Sequence, residues 1–243
     1  MKTAVLLTGH MRTFARTLPT QHWHLYRHLP NPDFYVSTLR DDDSPSAELL
    51  RDRYPESKVE IDTIDQQPDL PIPVPPTDPQ WRLGQPYTHE PYALSVPPLA
   101  VLRQLWQLNY AWEHFEATRA GSYDLIVRIR PDSWFHTCTL PRLSTILKTE
   151  CFTPWWGRFG GINDRLALLG PTAAAVYHTT YQRHGQLLAA GCPLHPESLL
   201  KTSLELWRGL QLHDTLQAEF STCKHDGTRP PEITASDIAH LKN

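Results

Sequence analysis

The sequence predicts an α/β fold: a single domain with a mostly parallel central sheet flanked by helices. Two observations carry this. Short apolar runs alternate with helical stretches along the chain, and neighbouring parallel strands need such crossovers. One of these runs, Leu125 to Val127, is continuously apolar, as a short buried strand requires. At 243 residues, 40% of them hydrophobic, the chain can close such a core without disulfides or metal staples.

The elements follow in order. Thr3 to Leu7 is a strand, and Thr8 to Phe14 the turn that leaves it. A helix is expected from Ala15 to Leu29, closed by Pro30-Asn31-Pro32. Asp33 to Thr38 forms a second strand, Arg40 to Ser44 a polar loop, Ser46 to Tyr54 a short helix, and Lys58 to Ile64 a third strand with clean alternation. In the segment 68–98, ten of 31 residues are proline, interspersed with Trp81, Tyr87 and Tyr92. Linkers are poor in aromatics, so an ordered loop folded over the site is expected rather than a linker. Leu99 to Arg119 is a largely buried helix ended by Gly121. Leu166 to Gly170 is strand-like, Pro171 opens a helix to Leu188, and Pro196 opens another to Leu210. Beyond His213 the pattern fades, so the domain is read as 1–213 and residues 214–243 as a partly irregular tail.

Composition excludes several classes. A formal net charge of −3 gives no footprint for nonspecific nucleic-acid binding. Cys138, Cys151, Cys192 and Cys223 form no CxxC pair, so thiols in a reducing compartment are expected. No apolar run approaches a membrane span or a secretory leader, which makes the expected location cytoplasmic.

The most informative stretch is Tyr123 to Asp132, YDLIVRIRPD. Leu125, Ile126 and Val127 read as a buried strand, and Pro131, lacking an N–H, stops the ladder. Arg128 and Arg130 are two apart and so share a face, with Asp132 at the carboxyl edge where open α/β sheets bind ligands. Guanidinium groups there suit a phosphate-bearing ligand, and Asp132 a divalent cation. The competing account is a structural ion pair with Asp124 or Glu113, and a turn cap for Asp132. Gly9 and Arg12 follow the first strand, where glycine lets backbone approach a nucleotide and arginine meets phosphate.

Further candidates lie C-terminal. Asp164, after Asn163, is placed to contact acceptor or sugar hydroxyls or to act as general base; an Asx turn is the plain alternative. Glu197 sits in a first helical turn, where the helix dipole alone favours a carboxylate. His195 either caps that helix or meets the acceptor. Trp155 and Trp156 stack on a sugar or pack in the core. Asp41-Asp42-Asp43 is a fallback metal site, and His22, His24 and His28 read as a solvated face.

A strand ending in Gly-x-x-Arg-Thr-Phe, then Gln104-Leu105-Trp106, YDLIVRIRPD, INDRLALLGP and HPESLL together resemble a group of small bacterial and viral glycosyltransferases, similar to the WavE-type lipopolysaccharide-synthesis proteins. The resemblance runs from about Thr3 to Leu210. It implies a GT-A-like fold, a nucleotide-diphospho-sugar donor, and transfer to a glycan or other hydroxyl acceptor, such as a lipopolysaccharide or capsule intermediate. A nucleobase in nucleic acid is an acceptor that the net charge does not favour. It implies donor binding by Gly9, Arg12, Arg128, Arg130 and Asp132, acceptor contacts from Trp156, Asn163 and His195, and catalysis by Asp164 and Glu197. GT-A enzymes hold a metal with Asp-x-Asp at a strand end. Here Arg130 replaces the first acid, leaving Asp132 as sole carboxylate for Mn²⁺ or Mg²⁺, or the arginines to neutralise the diphosphate directly. A binding module without catalysis is the alternative. A nucleotidyltransferase ranks third, because Thr8 to Phe14 has one glycine and no lysine.

Overall fold

The computed structural model describes residues 1–71, 97–119 and 121–223. Most of the expected proline-rich loop (72–96) and the final stretch 224–243 lie outside the described residues. Eight strands form one sheet in the order β3-β2-β1-β4-β7-β6-β8-β5. They are β1 Thr3–Thr8, β2 Pro32–Leu39, β3 Val59–Ile64, β4 Leu125–Ile129, β5 Ser133–Thr139, β6 Glu150–Pro154, β7 Leu166–Leu169 and β8 Gln211–Thr222. The helices are α1 Phe14–His24, α2 Leu49–Arg53, α3 Pro98–Thr118, α4 Pro171–His178, α5 Thr180–Ala189 and α6 Pro196–Glu205.

The amino-terminal half is parallel, with β1 pairing β2 on one side and β4 on the other, and β2 pairing β3. The rest is mixed: β7 runs antiparallel to both β4 and β6, β8 parallel to β6, and β5 antiparallel to β8. The α/β architecture is as expected, but the sheet is mixed rather than purely parallel.

Period-two alternation sorts the strand residues into two cores. Ala4, Leu6, Tyr35, Ile126, Ala167 and Leu169 face α3 to α6. Val5, Leu7, Phe34, Val36, Val127 and Leu168 face the side holding α1. Each central strand is therefore covered twice, which is why its sequence shows no polar face. At the amino ends of the strands, Tyr35 and Tyr123 share a hydroxyl contact of 2.7 Å, Tyr123 donates to Asp33 at 2.8 Å, and Lys2 pairs with Asp33 at 2.9 Å. That end is closed by structure; the carboxyl end is the open one.

Several expected elements are shorter. The first helix stops at His24 and is followed by a 3₁₀ turn, Tyr26–His28. The helix expected from Pro171 to Leu188 is two, because the Thr179 and Thr180 hydroxyls bond back to the carbonyls of Ala175, Val176 and Tyr177 and bend the chain. The last helix ends at Glu205 rather than Leu210, and Gly209, at φ +91°, turns the chain into β8. β8 carries the sheet to Thr222, past the boundary expected at 213, with Leu216, Ala218 and Phe220 buried and polar residues between them. β5 and β6 were not expected either. No helix among the described residues is long and apolar enough to cross a membrane.

Gly161 packs directly on the backbone of Glu197, where an added Cβ would overlap the carbonyl group. Ile162 N–H also donates to the Glu197 carbonyl at 3.2 Å. Gly161→Ala should therefore destabilise the fold by about 2 kcal/mol or more, read as a lowered denaturant midpoint.

Candidate functional site

The order of strands fixes where a ligand can sit. From β1 the chain winds outward through β2 and β3, then returns to place β4 on the other flank of β1. The carboxyl ends of β1 and β4 thus diverge, leaving the crevice in which open α/β sheets bind ligands. A cavity of about 410 Å³ occupies that crevice. Its wall includes Thr8 at the end of β1, Gly9, His10 and Arg12 after it, Arg128, Arg130, Pro131 and Asp132 at the end of β4, and Gln104 and Gln107 from α3. Thr222 and Cys223 complete it from the end of β8.

The β4 exit is a tight turn. Ser133 N–H donates to the Arg130 carbonyl at 3.2 Å around Pro131, whose fixed φ suits the second position of such a turn. Two buried side chains of α1, Thr17 and Gln21, hold this turn from below. Thr17 Oγ1 donates to the Pro131 carbonyl at 2.5 Å. Gln21 Nε2 donates to the Pro131 and Ser133 carbonyls at 3.0 Å each, and its Oε1 accepts from Tyr26 at 2.6 Å. Cys223 N–H reaches the Asp132 carbonyl at 2.8 Å. Gly9, at φ +132°, lies against the Pro131 ring, which a Cβ would touch at 3.4 Å. The β1 exit and the β4 exit are thereby packed on each other.

Arg130 forks onto Asp132, its Nε donating to Oδ1 at 3.0 Å and its Nη2 to Oδ2 at 2.6 Å. Its Nη1 lies 3.8 Å from Asp164 Oδ2. Burial opposes the Arg130 charge, but Asp132 and Asp164 outweigh it and hold its pKa above the ordinary value. Arg128 is 1% exposed, donates Nη1 to the Arg165 carbonyl at 3.0 Å, and keeps a buried Nε with no partner. Burial pushes its pKa down, yet an arginine remains charged. Arg12 is exposed on the wall and makes no ion pair among the described residues.

Asp164 and Glu197 lie behind the wall rather than on it, both buried. Asp164 accepts from Gln104 Nε2 at 2.5 Å. Burial would raise its pKa, but Arg130, Arg165, Arg128 and Gln104 hold it below the carboxylate norm. Glu197 goes the other way: burial, then the Asp164 charge, push its pKa up, with His195 opposing. His195 Nδ1 lies 2.9 Å from Glu197 Oε2. Two neighbouring carboxyl groups are thus driven apart in pKa, a pattern suited to divided acid and base roles.

Other expected residues are committed elsewhere. Asn163 is fully buried, donating to the Trp156 carbonyl at 3.0 Å and accepting from Arg165 N–H at 2.9 Å, so both its polar ends serve the turn. Trp156 is a core residue against Phe220, its Nε1–H spent on the Ala218 carbonyl at 2.6 Å. Neither is open to an acceptor. Asp41 caps the turn after β2 and meets His10 Nδ1 at 3.0 Å. His22 bonds Tyr54 at 2.6 Å.

Among the described residues the donor set does not fit a divalent cation. Both Asp132 oxygens accept from Arg130, and no group of three His, Cys, Asp or Glu side chains converges among the described residues. The residues missed by sequence reasoning are His10, Thr17, Gln21, Gln104 and Gln107. Polar residues at i,i+3 and i,i+4 spacing on otherwise apolar helix faces were the available signal for the last four.

No protein-family model and no curated protein matches the chain. Among solved structures, galactosyltransferase LgtC, in complex with donor and acceptor sugar analogues, aligns at 6% identity with a TM-score of 0.49, over 86% of this chain and 72% of that one. Glycosyltransferase GlyE of Streptococcus pneumoniae TIGR4 aligns at 11% identity with a TM-score of 0.44, over 88% of this chain and 45% of its own. Its apo form gives 12% and 0.45, over 87% and 44%. The chain spans less than half the length of GlyE. At such identities and TM-scores the likeness carries no functional argument.

Gln21→Ala would strip the Ser133 carbonyl and the Tyr26 hydroxyl of a buried partner and loosen the Pro131 turn, costing about 2–4 kcal/mol by chemical denaturation. Glu197 supplies a pH signature. Its folded pKa is raised, so above the ordinary glutamate range the folded chain keeps a proton that the unfolded chain releases. Its contribution to stability should therefore decline as pH rises from that range toward the raised value. Glu197→Gln should lack this slope in denaturation series across pH 4 to 8.

Proposed function

We propose that the crevice binds a nucleotide-diphospho-sugar and that the protein is a glycosyltransferase. The supporting observation is the gathering of Arg12, Arg128 and Arg130 around one cavity at the switch point in the parallel half of the sheet. Glycosyl transfer needs a grip on a diphosphate leaving group and stabilisation of its departing charge, and preformed guanidinium donors in a partly closed cavity supply both. Gly9, at φ +132°, lets the β1 exit pack on Pro131 at the edge of the cavity. A cavity of about 410 Å³ is within the range of small-ligand sites.

Asp164 acts through what it touches. Its ionised carboxylate fixes Gln104 and lies beside Arg130, and both of those residues face the cavity. Glu197, with its raised pKa, is the better matched of the two carboxyl groups for taking a proton from an acceptor hydroxyl. His195 orients it. The acceptor is a glycan or another hydroxyl, with a lipopolysaccharide or capsule intermediate, as in polysaccharide biosynthesis, the reading that the WavE-type motifs favour.

One observation favours a second reading. Both catalytic carboxyl groups are buried behind the wall, so a module that binds a nucleotide sugar without turning it over also fits. The test is thermal shift against a panel of nucleotide sugars, followed by assay of nucleotide release with candidate acceptors. A cognate donor at about 100 times its Kd should raise Tm by about 5–10 °C. Arg130→Ala should abolish the shift. Turnover lost in Glu197→Gln with the shift retained supports the transferase; a shift with no turnover supports the binding module. No shift with any donor rejects both.

A further inference from the structure

The residue pattern that would hold a metal at this strand end is occupied by a guanidinium. We infer that the diphosphate is neutralised here by a cradle of arginines in place of a divalent cation, with Asp132 serving to orient Arg130 and not to ligate metal. This rests on the diphosphate reading above and decides how that reading is executed.

Three features of the wall lead here. First, both Asp132 oxygens are engaged by the Arg130 fork, at 3.0 and 2.6 Å. A cation on Asp132 would have to share a carboxylate already forked by Arg130 and sit a few ångströms from that guanidinium, a like-charge contact in a partly buried site. Second, Arg128 carries a buried Nε without a partner although its side chain lines the cavity. A buried guanidinium without a full set of partners is costly, and an anion in the cavity beside Arg128 offsets its charge. Third, Arg12 brings an exposed guanidinium from the β1 side and makes no ion pair among the described residues.

The charges also match. The wall carries three guanidinium groups (Arg12, Arg128, Arg130) and one carboxylate (Asp132), a formal excess of 3 − 1 = 2 positive charges. A diphosphate diester carries two negative ones. Asp164 behind the wall is balanced by Arg165, which, with Arg130 and Arg128, holds it ionised. Planar forks are suited to phosphate oxygens, and a fork already braced by Asp132 and Asp164 needs little reorganisation to meet them.

The test is isothermal titration of the metal-stripped full chain with inorganic diphosphate, UDP, GDP, CDP and ADP, in EDTA and again with Mn²⁺ at matched ionic strength. The expected result is that at least one probe binds in EDTA, with a Kd within about threefold of its Mn²⁺ value. Arg12→Ala, a surface change that leaves the fold intact, should weaken that probe about tenfold or more. Arg130→Lys keeps the charge but loses the fork and should weaken it by a similar factor. Asp132→Asn removes any metal-ligating charge but keeps the side chain's shape; it should cost less than about tenfold in EDTA. Binding that appears only with Mn²⁺, or that Asp132→Asn abolishes, overturns the cradle while leaving the donor reading intact. Binding of no probe under either condition overturns both.

Discussion

The Pro131 carbonyl is the point on which the site depends. It cannot pair along a strand, because β4 ends at Ile129 and the chain turns away; instead it accepts from Thr17 and Gln21 of α1. That anchorage sets the direction of Arg130 and Asp132, which flank the proline. The same turn meets Gly9 on one side and the end of β8 on the other. Helix α1, the exits of β1 and β4, and the last described strand therefore share one small contact region. A shift in any of them is felt at the guanidinium groups.

Electrostatics then decides what this region can do. Charges are buried only when compensated, and here compensation is uneven. Arg130 is braced by two carboxylates, whereas among the described residues Arg128 donates to a backbone carbonyl and Arg12 makes no ion pair. The excess positive charge faces the cavity. Behind it, Asp164 and Glu197 show opposite pKa shifts in neighbouring positions, because Asp164 takes the arginines for itself and its charge then opposes that of Glu197. One carboxylate is held ionised among the guanidinium groups, and the other is pushed toward its protonated form.

Much of this was legible in the chain. The strands β1 to β4 and β7, and the helices that cover them, announce themselves through apolar runs and helical spacing, since burial on both faces leaves an unambiguous pattern. Gly9, Arg12, Arg130 and Asp132 were legible because they follow strand ends, and Arg128 because it lies two residues before Arg130 on the same strand. β5, β6 and β8 were not: they lie at the far edge, where β8 buries only alternate residues such as Leu216, Ala218 and Phe220 amid polar ones. Trp156 and Asn163 looked available to a ligand, but a buried indole and a buried amide have the same letters as exposed ones. What distinguishes them is whether the Ala218 carbonyl and the Arg165 amide stand within reach.

The sequence by itself determined the α/β class, the parallel half of the sheet and the chemistry gathered at its carboxyl edge, because hydrophobic period and strand-ending residues are local properties. Only the tertiary structure decided that Asp132 belongs to Arg130, that Asp164 and Glu197 stand behind the wall, and that Thr17 and Gln21 hold the turn. Those are pairings across 2 to 114 positions of sequence separation, from Arg130–Asp132 to Thr17–Pro131. Even the shortest depends on rotamers that long-range packing selects. A charge in a sequence has a type; its partner, and hence its function, is fixed only when the fold brings the two into a shared low-dielectric space.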